Sequence, residues 1–399
     1  MKRITWIFVT VIFLSGCQYF QKPSSTLQTV PYPSESSIPT VTIEQETTIM
    51  TEPTIITEPT EPVFDPYRIM DTMSTEELVG QLFLARCPTG QQALDDLKKY
   101  HLGGYILFGR DFDGQTPESM RQIIASYQEN AEIPMLIAVD EEGGTVCRVS
   151  SRAAFRESRF LSPRKLYANG GLELLVQTET EKAQLLHSLG INVNMAPVCD
   201  ITTDPNAFMY SRSLGLDPET TGQCIAEMVS SSQQEAVGSV LKHFPGYGNN
   251  TDTHVGIATD SRPLDQLESY DLLPFRIGME AGAEAVLISH TIIECLDPES
   301  PASLSPAVIT YLREVMDFEG VIVTDDLVMQ AITNRYGAGE AAVLAVLAGN
   351  DLLCSSEYAV QYAAVLEAVY ADRITQDQLN AAVARVLQWK YDLGLIPIL

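Results

Sequence analysis

The chain has 399 residues, of which 45% are hydrophobic, so it is long enough for one large domain or two ordinary ones. Its 52 acidic residues outnumber its 25 basic ones and give a formal net charge of −27. This charge argues against nucleic acid as a partner, because no basic surface is evident to neutralise phosphates. Neutral or cationic substrates remain compatible with it.

Residues 1–16 have the pattern of a bacterial export signal. Lys2 and Arg3 supply a positive start, and Ile4–Phe13 is an apolar run too short to span a bilayer comfortably. The sequence Leu14-Ser15-Gly16-Cys17 resembles a lipobox, in which cleavage before Cys17 leaves a lipidated amino-terminal cysteine. An ordinary signal peptide, or a short anchor helix containing a cysteine, is the alternative. We expect an exported lipoprotein, anchored to the membrane through Cys17 and facing the extracytoplasmic side.

Residues 17–64 are rich in Thr, Pro, Ser and Glu, and the triplet Thr-Glu-Pro recurs at Thr51, Thr57 and Thr60. A segment of this composition buries too little apolar surface to offset the entropy of the chain. We therefore expect a disordered tether between the lipidation site and the rest of the protein.

From residue 65 to residue 399 the composition is globular, and apolar runs of strand length alternate with amphipathic helical stretches. Such alternation predicts a parallel sheet, and eight runs predict a single (β/α)8 TIM-type barrel. The expected strands are Leu82–Ala85, Gly104–Phe108, Met135–Val139, Val193–Ala196, Val237–His243, Ala285–His290, Gly320–Thr324 and Asp351–Cys354. The expected helices include Pro117–Asn130, Leu172–Leu189, Thr220–Ala236, Leu264–Ala281, Pro306–Met316, Ala338–Leu347, Tyr358–Ala371 and Thr375–Leu393. An open doubly wound sheet is the alternative, but no GxGxxG sequence follows the first strand to support it.

Acidic groups and histidines follow five of the eight expected strands. In a barrel the carboxyl ends of the strands meet on one face, where the active sites of such enzymes lie. The five strand ends carry Asp140-Glu141-Glu142, Asp200, Lys242-His243, Ser289-His290 and Asp325-Asp326. One polar strand end is common as a helix cap, whereas five such ends favour an enzyme.

The segment Lys242–His254 carries the strongest local signal. It contains two of the chain's five histidines, and its glycines and proline predict a loop that follows a buried strand. A polar loop with incidental histidines is the alternative. Within this loop, Asp252-Thr253-His254 offers an imidazole beside a carboxylate, which suits proton transfer near neutral pH.

The remaining polar groups suit a hydroxyl-rich substrate. One of Asp325 and Asp326 is expected to cap a helix that begins near Leu327, which leaves the other free as a nucleophile, base or ligand. A metal site built from Asp140, His243 and Asp325 is disfavoured because Lys242 would lie beside the cation. We expect no cofactor, and the six cysteines after Cys17 form no metal-site pattern and specify no disulfide. The candidate substrate-binding network consists of Asp140, Arg148, Arg212, Lys242 and His243, although Arg212 has the alternative of a surface ion pair.

These motifs together resemble the glycoside hydrolases of family 3, of the β-N-acetylhexosaminidase type. The resemblance runs from about Glu76 to Leu395. Its markers are Leu102-Gly103-Gly104-Tyr105-Ile106-Leu107-Phe108, Asp140-Glu141-Glu142-Gly143-Gly144, Gly190-Ile191-Asn192-Val193-Asn194-Met195-Ala196-Pro197-Val198-Cys199-Asp200, Arg212-Ser213-Leu214-Gly215, Lys242-His243-Phe244-Pro245-Gly246, Asp252-Thr253-His254, Pro301-Ala302-Ser303-Leu304-Ser305-Pro306 and Val323-Thr324-Asp325-Asp326-Leu327.

The resemblance implies a retaining exo-β-N-acetylglucosaminidase, with Asp325 as the nucleophile and His254 paired with Asp252 as the acid/base. Asp140, Arg148, Arg212, Lys242 and His243 would then hold the sugar. An exported, membrane-tethered enzyme of this kind suggests N-acetylglucosamine-containing cell-wall fragments, such as muropeptides, as substrates. A phosphorylase or β-glucosidase of the same family and a non-catalytic glycan-binding lipoprotein are the alternatives. The β-glucosidases typically carry a further domain that supplies an acidic acid/base, for which this chain is expected to lack room.

The chain departs from the usual family pattern at three positions. Tyr247 stands where a second histidine is common, Thr253 replaces a serine, and Thr145 follows the Glu-Gly-Gly segment where an arginine is usual. None of these changes removes a proposed catalytic group. They leave open the geometry of the loop and the length of glycan that the enzyme prefers. The sequence alone also leaves the oligomeric state open.

Overall fold

Eight parallel strands form the centre of the computed structural model, which describes residues 64–248 and 258–397. They are β1 (Phe83–Arg86), β2 (Gly104–Leu107), β3 (Leu136–Val139), β4 (Val193–Asn194), β5 (Gly238–Phe244), β6 (Ala285–Ile288), β7 (Val321–Thr324) and β8 (Leu353–Ser355). Neighbouring strands pair in the order β7-β6-β5-β4-β3-β2-β1-β8. A parallel bridge between Val323 and Leu352 joins the two ends of this order. The predicted (β/α)8 barrel is therefore confirmed.

Side chains alternate between the inside of the barrel and the surrounding helices. Leu84, Ile106, Val240, Leu287 and Val323 belong to one buried cluster, to which all eight strands contribute. Their sequence neighbours belong instead to two larger clusters that contain the helices. This alternation is what the period of a β-strand requires when both faces of a sheet are covered. The runs of Val, Ile and Leu in the sequence therefore became barrel strands.

The helices lie around this barrel. They are α1 (Pro66–Met70), α2 (Thr75–Gln81), α3 (Gln91–Tyr100), α4 (Pro117–Asn130), α5 (Pro163–Ser188), α6 (Pro218–Gln234), α7 (Leu264–Ser269), α8 (Leu272–Glu280), α9 (Pro306–Thr310), α10 (Gln330–Tyr336), α11 (Ala338–Ala348), α12 (Tyr358–Tyr370) and α13 (Gln376–Asp392). Many begin with side-chain caps, as at Thr116, whose hydroxyl accepts the N–H of Ser119 at the start of α4.

Three predicted helices differ from the observed ones. The helix expected at Pro306–Met316 is α9 followed by a π-helical segment at Tyr311–Val315. The helix expected at Leu172–Leu189 is the second part of α5, which has non-helical geometry at Gly170 and Gly171, where φ of Gly171 is 63°. The helix expected at Leu264–Ala281 is two helices, α7 and α8, separated at Tyr270 and Asp271. The carboxylate of buried Asp271 accepts a hydrogen bond from Arg262 at 2.6 Å, which accounts for an acidic residue inside this apolar pattern.

Strand β4 is shorter than the expected Val193–Ala196, because the N–H of Ala196 turns back to the carbonyl of Asn194 at 2.8 Å. Side-chain amides extend its pairing with β3. Asn192 Oδ1 accepts the N–H of Ile137 at 2.8 Å, and Asn194 Oδ1 accepts the N–H of Glu141 at 3.0 Å. These buried amides replace backbone ladder bonds that a two-residue strand cannot make.

The predicted signal peptide, Cys17 and nearly all of the predicted tether lie outside the described residues. The described part begins with Phe64, whose ring stacks on Tyr391 with the centroids 4.2 Å apart. No helix in residues 64–248 or 258–397 is long and apolar enough to cross a membrane. The six cysteines of this part, from Cys87 to Cys354, are free thiols.

Candidate active site

A cavity of about 460 Å³ opens at the carboxyl ends of the barrel strands. Six of the predicted site residues line it, namely Asp140, Arg148, Arg212, Lys242, His243 and Asp325. The other two, Asp252 and His254, lie outside the described residues. The cavity is at the face of the barrel where the sequence predicted a site, and the residues come together from the end of β5 and from the segments that follow β3, β4 and β7.

Lys242 lies at the centre of a buried charge network. Its Nζ is 2.8 Å from Asp140 Oδ1 and 2.7 Å from Glu142 Oε1, while the Lys242 side chain is only 3% exposed. Arg148 Nη2 contacts the second oxygen of Asp140 at 3.2 Å. Lys242 is therefore held between two carboxylates, and one of these carboxylates also orients Arg148.

The charges of the network support one another. Burial raises the pKa of Asp140, but Lys242 and Arg148 outweigh burial and hold this pKa below its usual value. Burial also opposes the charge of Glu142, yet Lys242 and Arg212 hold the pKa of Glu142 far below its usual range. Burial alone would lower the pKa of Lys242, whereas Asp140 and Glu142 raise it. The network is thus charged throughout at neutral pH.

Glu142 was not among the predicted site residues, yet it joins Lys242 to Arg212. The Arg212 guanidinium donates to both oxygens of Glu142, at 2.9 Å from Nε and 2.6 Å from Nη2. This bidentate pair is geometrically specific, and the Glu142 side chain is only 1% exposed. Arg212 lines the cavity and is only 14% exposed, and its partner Glu142 is buried, so this pair is not an ordinary surface ion pair.

His243 links Arg212 to Asp200. Its Nε2 is 3.0 Å from Arg212 Nη2, and its Nδ1 is 2.8 Å from Asp200 Oδ2. Because a guanidinium only donates, Nε2 must accept and Nδ1 must carry the proton that it donates to Asp200. Asp200 also accepts the backbone N–H of His243 and of Tyr247. Asp200 followed a predicted strand end but was not predicted as part of the site.

A second buried acid fixes the segment that carries Arg148. Both oxygens of Glu141 accept hydrogen bonds, Oε2 from the N–H groups of Arg148 and Val149 at 2.8 and 2.7 Å. Oε1 accepts the N–H and the hydroxyl of Ser150. The three consecutive acids after β3 therefore have different tasks, since Glu141 positions backbone while Asp140 and Glu142 face cations.

Asp325 and Asp326 follow β7 and also have different surroundings. Asp326 accepts the N–H of Val328 at 3.2 Å and the N–H of Ser356 at 3.1 Å, and it contacts the Ser356 hydroxyl. Asp325 lines the cavity, and its Oδ1 accepts the N–H of Asp326 at 2.8 Å. The other oxygen of Asp325 has no hydrogen-bond partner among the described residues. Asp326 thus binds loop backbone. The expectation that one of the two aspartates caps a helix beginning near Leu327 was wrong, because the next helix begins at Gln330 and its N-cap residue is Met329.

The histidines of the described part are not free to transfer protons in this cavity. Both ring nitrogens of His243 are engaged, and those of His290 contact the Ser303 hydroxyl at 2.7 Å and the Asp326 carbonyl at 3.0 Å. His101 and His187 precede β2 and β4, at the opposite end of the barrel. Of the chain's five histidines this leaves His254, whose structure is outside the described residues.

A set of groups with metal-binding chemistry lies away from the cavity. Ligand atoms of Glu77, His101 and Glu132 lie within 4.8 Å of one another. Glu77 and His101 belong to segments that precede β1 and β2, so this set is near the amino-terminal ends of the strands. It therefore does not contribute to the chemistry of the cavity.

The family model for the glycosyl hydrolase family 3 N-terminal domain matches residues 74–389. The chain belongs to glycosyl hydrolase family 3. It is accordingly a glycoside hydrolase, and the family predicted from the motifs is confirmed.

Two curated relatives match most of the chain. The β-hexosaminidase LpqI of Mycobacterium tuberculosis is 30% identical over 342 residues, which span 82% of this chain and 85% of that protein. A β-hexosaminidase of Stenotrophomonas maltophilia is 35% identical over 318 residues, spanning 76% and 87%.

Solved family 3 structures have the same fold. A β-N-acetylglucosaminidase from Paenibacillus superposes with a TM-score of 0.76 at 32% identity, over 81% of this chain and 63% of that one. The present chain thus spans less than two thirds of the Paenibacillus protein. The M. tuberculosis LpqI structure gives a TM-score of 0.75 at 28% identity, over 82% of this chain and 96% of that one.

Proposed function

We propose that this family 3 enzyme is a retaining exo-β-N-acetylglucosaminidase that removes terminal β-linked N-acetylglucosamine from cell-wall fragments. The names of the relatives, β-hexosaminidase and β-N-acetylglucosaminidase, support the sugar. The observation that carries the mechanism is the position of Asp325 in the same cavity as the charge network around Lys242. One oxygen of the Asp325 carboxylate has no hydrogen-bond partner among the described residues.

The network is suited to hold hydroxyl groups. Asp140 and Glu142 are acceptors that remain ionised, and Lys242, Arg148 and Arg212 are donors whose positions the carboxylates fix. A ring hydroxyl both donates and accepts, so it fits between such groups without leaving a buried charge unpaired. Because the network exists before a sugar binds, little reorganisation is needed on binding.

In the proposed reaction, Asp325 attacks the anomeric carbon and forms a glycosyl ester while the glycosidic bond breaks. His254, oriented by Asp252, donates the proton that the departing oxygen needs. Water then attacks the same carbon, His254 takes its proton, and the bond to Asp325 breaks with its electron pair returning to the carboxylate. Both ring nitrogens of His243 have other partners, which supports His254 in this role.

The nucleophile is tested with an aryl β-N-acetylglucosaminide. We expect Asp325→Asn to lower turnover by at least a thousandfold, whereas exposed Asp265→Asn, a matched change on α7, retains wild-type activity. Mass spectrometry after reaction with a slowly hydrolysed fluoro-sugar should find one added glycosyl group on the peptide that contains Asp325. Near-normal activity of Asp325→Asn, or a label elsewhere, would remove the nucleophile assignment.

The reaction products show whether water or phosphate accepts the sugar. Hydrolysis gives N-acetylglucosamine whether or not phosphate is present, whereas a phosphorylase gives the sugar phosphate only when phosphate is supplied. The substrate source is tested by release of N-acetylglucosamine from purified wall fragments. Activity on a different sugar alone would redirect the substrate proposal.

The proposed location is the extracytoplasmic face of a bacterial membrane, through lipidated Cys17. The pattern of residues 1–17 supports it. Labelling with a radioactive fatty acid should mark the wild-type protein, and Cys17→Ser should release it into the soluble fraction. A wild-type protein that takes up no label would contradict the lipid anchor.

A further inference from the structure

One cation of the active-site cavity has no acidic partner among the residues that the structure describes. Arg86, the last residue of β1, lines the cavity together with Phe108. The other cations, Lys242, Arg148 and Arg212, each contact Asp140 or Glu142. Within residues 64–248 and 258–397, by contrast, the Arg86 side chain makes no ion pair or hydrogen bond, and its Nε is closed off from solvent.

An aromatic platform holds Arg86 in place. Its guanidinium carbon lies 4.7 Å from the centroid of the Phe108 ring, and that of Arg148 lies 5.5 Å from the same centroid. The Nε of Arg148 is likewise buried without a partner in the described part of the chain. These contacts place both guanidinium groups against the Phe108 ring and leave N–H donors of both without a partner in the described residues.

Arg86 acts electrostatically on Asp111, but the two side chains form no ion pair in the described part of the chain. Burial raises the pKa of Asp111, and Arg110 and Arg86 only partly oppose this rise. The Asp111 carboxylate instead accepts the N–H of Phe108 at 2.7 Å and lies 3.6 Å from Arg110. In a chain of net charge −27, an arginine that lines the cavity and has no acidic partner among the described residues has a guanidinium that is available to a bound anion.

We propose that Arg86, assisted by Arg148, forms an oxyanion-binding subsite in the active-site cavity. This inference rests on the proposed function. In the observed strand order β1 is four strands from β5, so the subsite is on the wall across the barrel from Lys242 and His243. A planar guanidinium binds carboxylate or phosphate through two parallel hydrogen bonds.

The oxyanion has two possible sources. One is a carboxylate on the sugar next to the cleaved bond. The other is inorganic phosphate, one oxygen of which would bond to the anomeric carbon of the glycosyl ester while the bond to Asp325 breaks and returns its electron pair to that carboxylate. Both sources need the same guanidinium chemistry.

The test compares two disaccharides with a terminal β-N-acetylglucosamine. In one the second sugar has a free carboxylate, and in the other the carboxylate is a methyl ester. We expect wild type to have at least a tenfold higher kcat/KM for the acid, since a charge-assisted hydrogen bond contributes roughly 10- to 100-fold in binding. Arg86→Gln should bring the ratio to about 1 while cleaving the ester normally.

Arg110→Gln is the matched control, because it removes an equal charge beside the cavity from a side chain that is 44% exposed. Arg86→Lys keeps the charge but loses the planar guanidinium with its two parallel donors, so its ratio of kcat/KM for the acid to kcat/KM for the ester should be intermediate. If phosphate is the ligand, wild type shows equal rates on acid and ester, a saturable acceleration by phosphate, and a loss of that acceleration in Arg86→Gln.

Equal loss on acid and ester in Arg86→Gln, with no phosphate effect in wild type, would overturn the subsite. Failure of wild type to cleave either disaccharide would contradict the proposed function instead. Calorimetric titration of wild type and Arg86→Gln with the acid disaccharide and with inorganic phosphate then decides the subsite. Weaker binding to the variant supports it, and equal binding overturns it.

Discussion

Replacing Glu142 with glutamine tests whether the charge network holds both the site and the barrel. Glu142 is 1% exposed and is the shared partner of Arg212 and Lys242. Glutamine has nearly the same shape, so the change removes one negative charge without opening a cavity. Lys242 then keeps only Asp140, and Arg212 faces an amide that has one acceptor and two unwanted donors.

The size of the effect follows from the burial of the cations. Removing one partner of a buried ion pair costs about 3–5 kcal/mol, because the remaining charge stays out of water without compensation. Glutamine retains one acceptor and Lys242 retains Asp140, so we expect a loss near the lower end, about 3 kcal/mol in the free energy of unfolding. A domain of ordinary stability would survive this loss in buffer.

Urea unfolding of Glu142→Gln against wild type measures this loss, with kcat/KM for an aryl β-N-acetylglucosaminide measured in parallel. We expect kcat/KM to fall on the order of a hundredfold, since Arg212 and Lys242 would no longer be held. The control is Glu118→Gln, which breaks an exposed pair with Arg121 and should cost less than about 1 kcal/mol. A Glu142→Gln protein within about 1 kcal/mol of wild type would refute the reasoning.

Three further predictions follow from the charges and the proposed dyad. The pKa of folded Glu142 is far below its ordinary value of 4.5, so the stability that its charge contributes is complete above pH 4.5 and is lost as the pH falls. Between pH 5 and 3, Glu142→Gln should therefore lose less stability than wild type, as measured by the urea midpoint at each pH. Burial lowers the pKa of Lys390 to about 7, so wild-type stability should rise between about pH 7 and 10, a rise that Lys390→Met lacks in the same assay. His254→Ala should slow hydrolysis most for poor leaving groups, and a uniform loss across an aryl series would argue against acid catalysis.

The barrel was predictable from the sequence because all eight strands are buried on both faces. Each therefore appears as an apolar run, and the observed strands overlap all eight predicted runs. The short pairs Glu141–Gly143 with Val146–Cys147 and Ile292–Ile293 with Asp297–Pro301 were not predicted. These strands are short or polar and show no apolar run in the sequence, so their pairing depends on the tertiary structure around them.

The site was predictable where a charged residue follows an apolar run, as for Asp140, Lys242 and Asp325. Glu142 and Arg86 were missed for different reasons. Glu142 is one of three consecutive acids, and only the fold decides which of the three faces a cation. Arg86 follows the first expected strand, but its lack of a partner among the described residues depends on the whole cavity and has no local sequence pattern. The roles of Asp252 and His254 stay predictions.

The two-residue strand β4 is a weakly paired part of the barrel wall, because it pairs with β3 and with β5 at only two positions each. The ion pairs from Asp140 and Glu142 to Lys242 pass across β4 and join the end of β3 directly to β5. The charged side chains proposed to hold the sugar therefore also cross-link strands of the barrel. An engineer who alters them to accept a different sugar changes how firmly the wall is closed, so new specificity at this position will need compensating stability elsewhere.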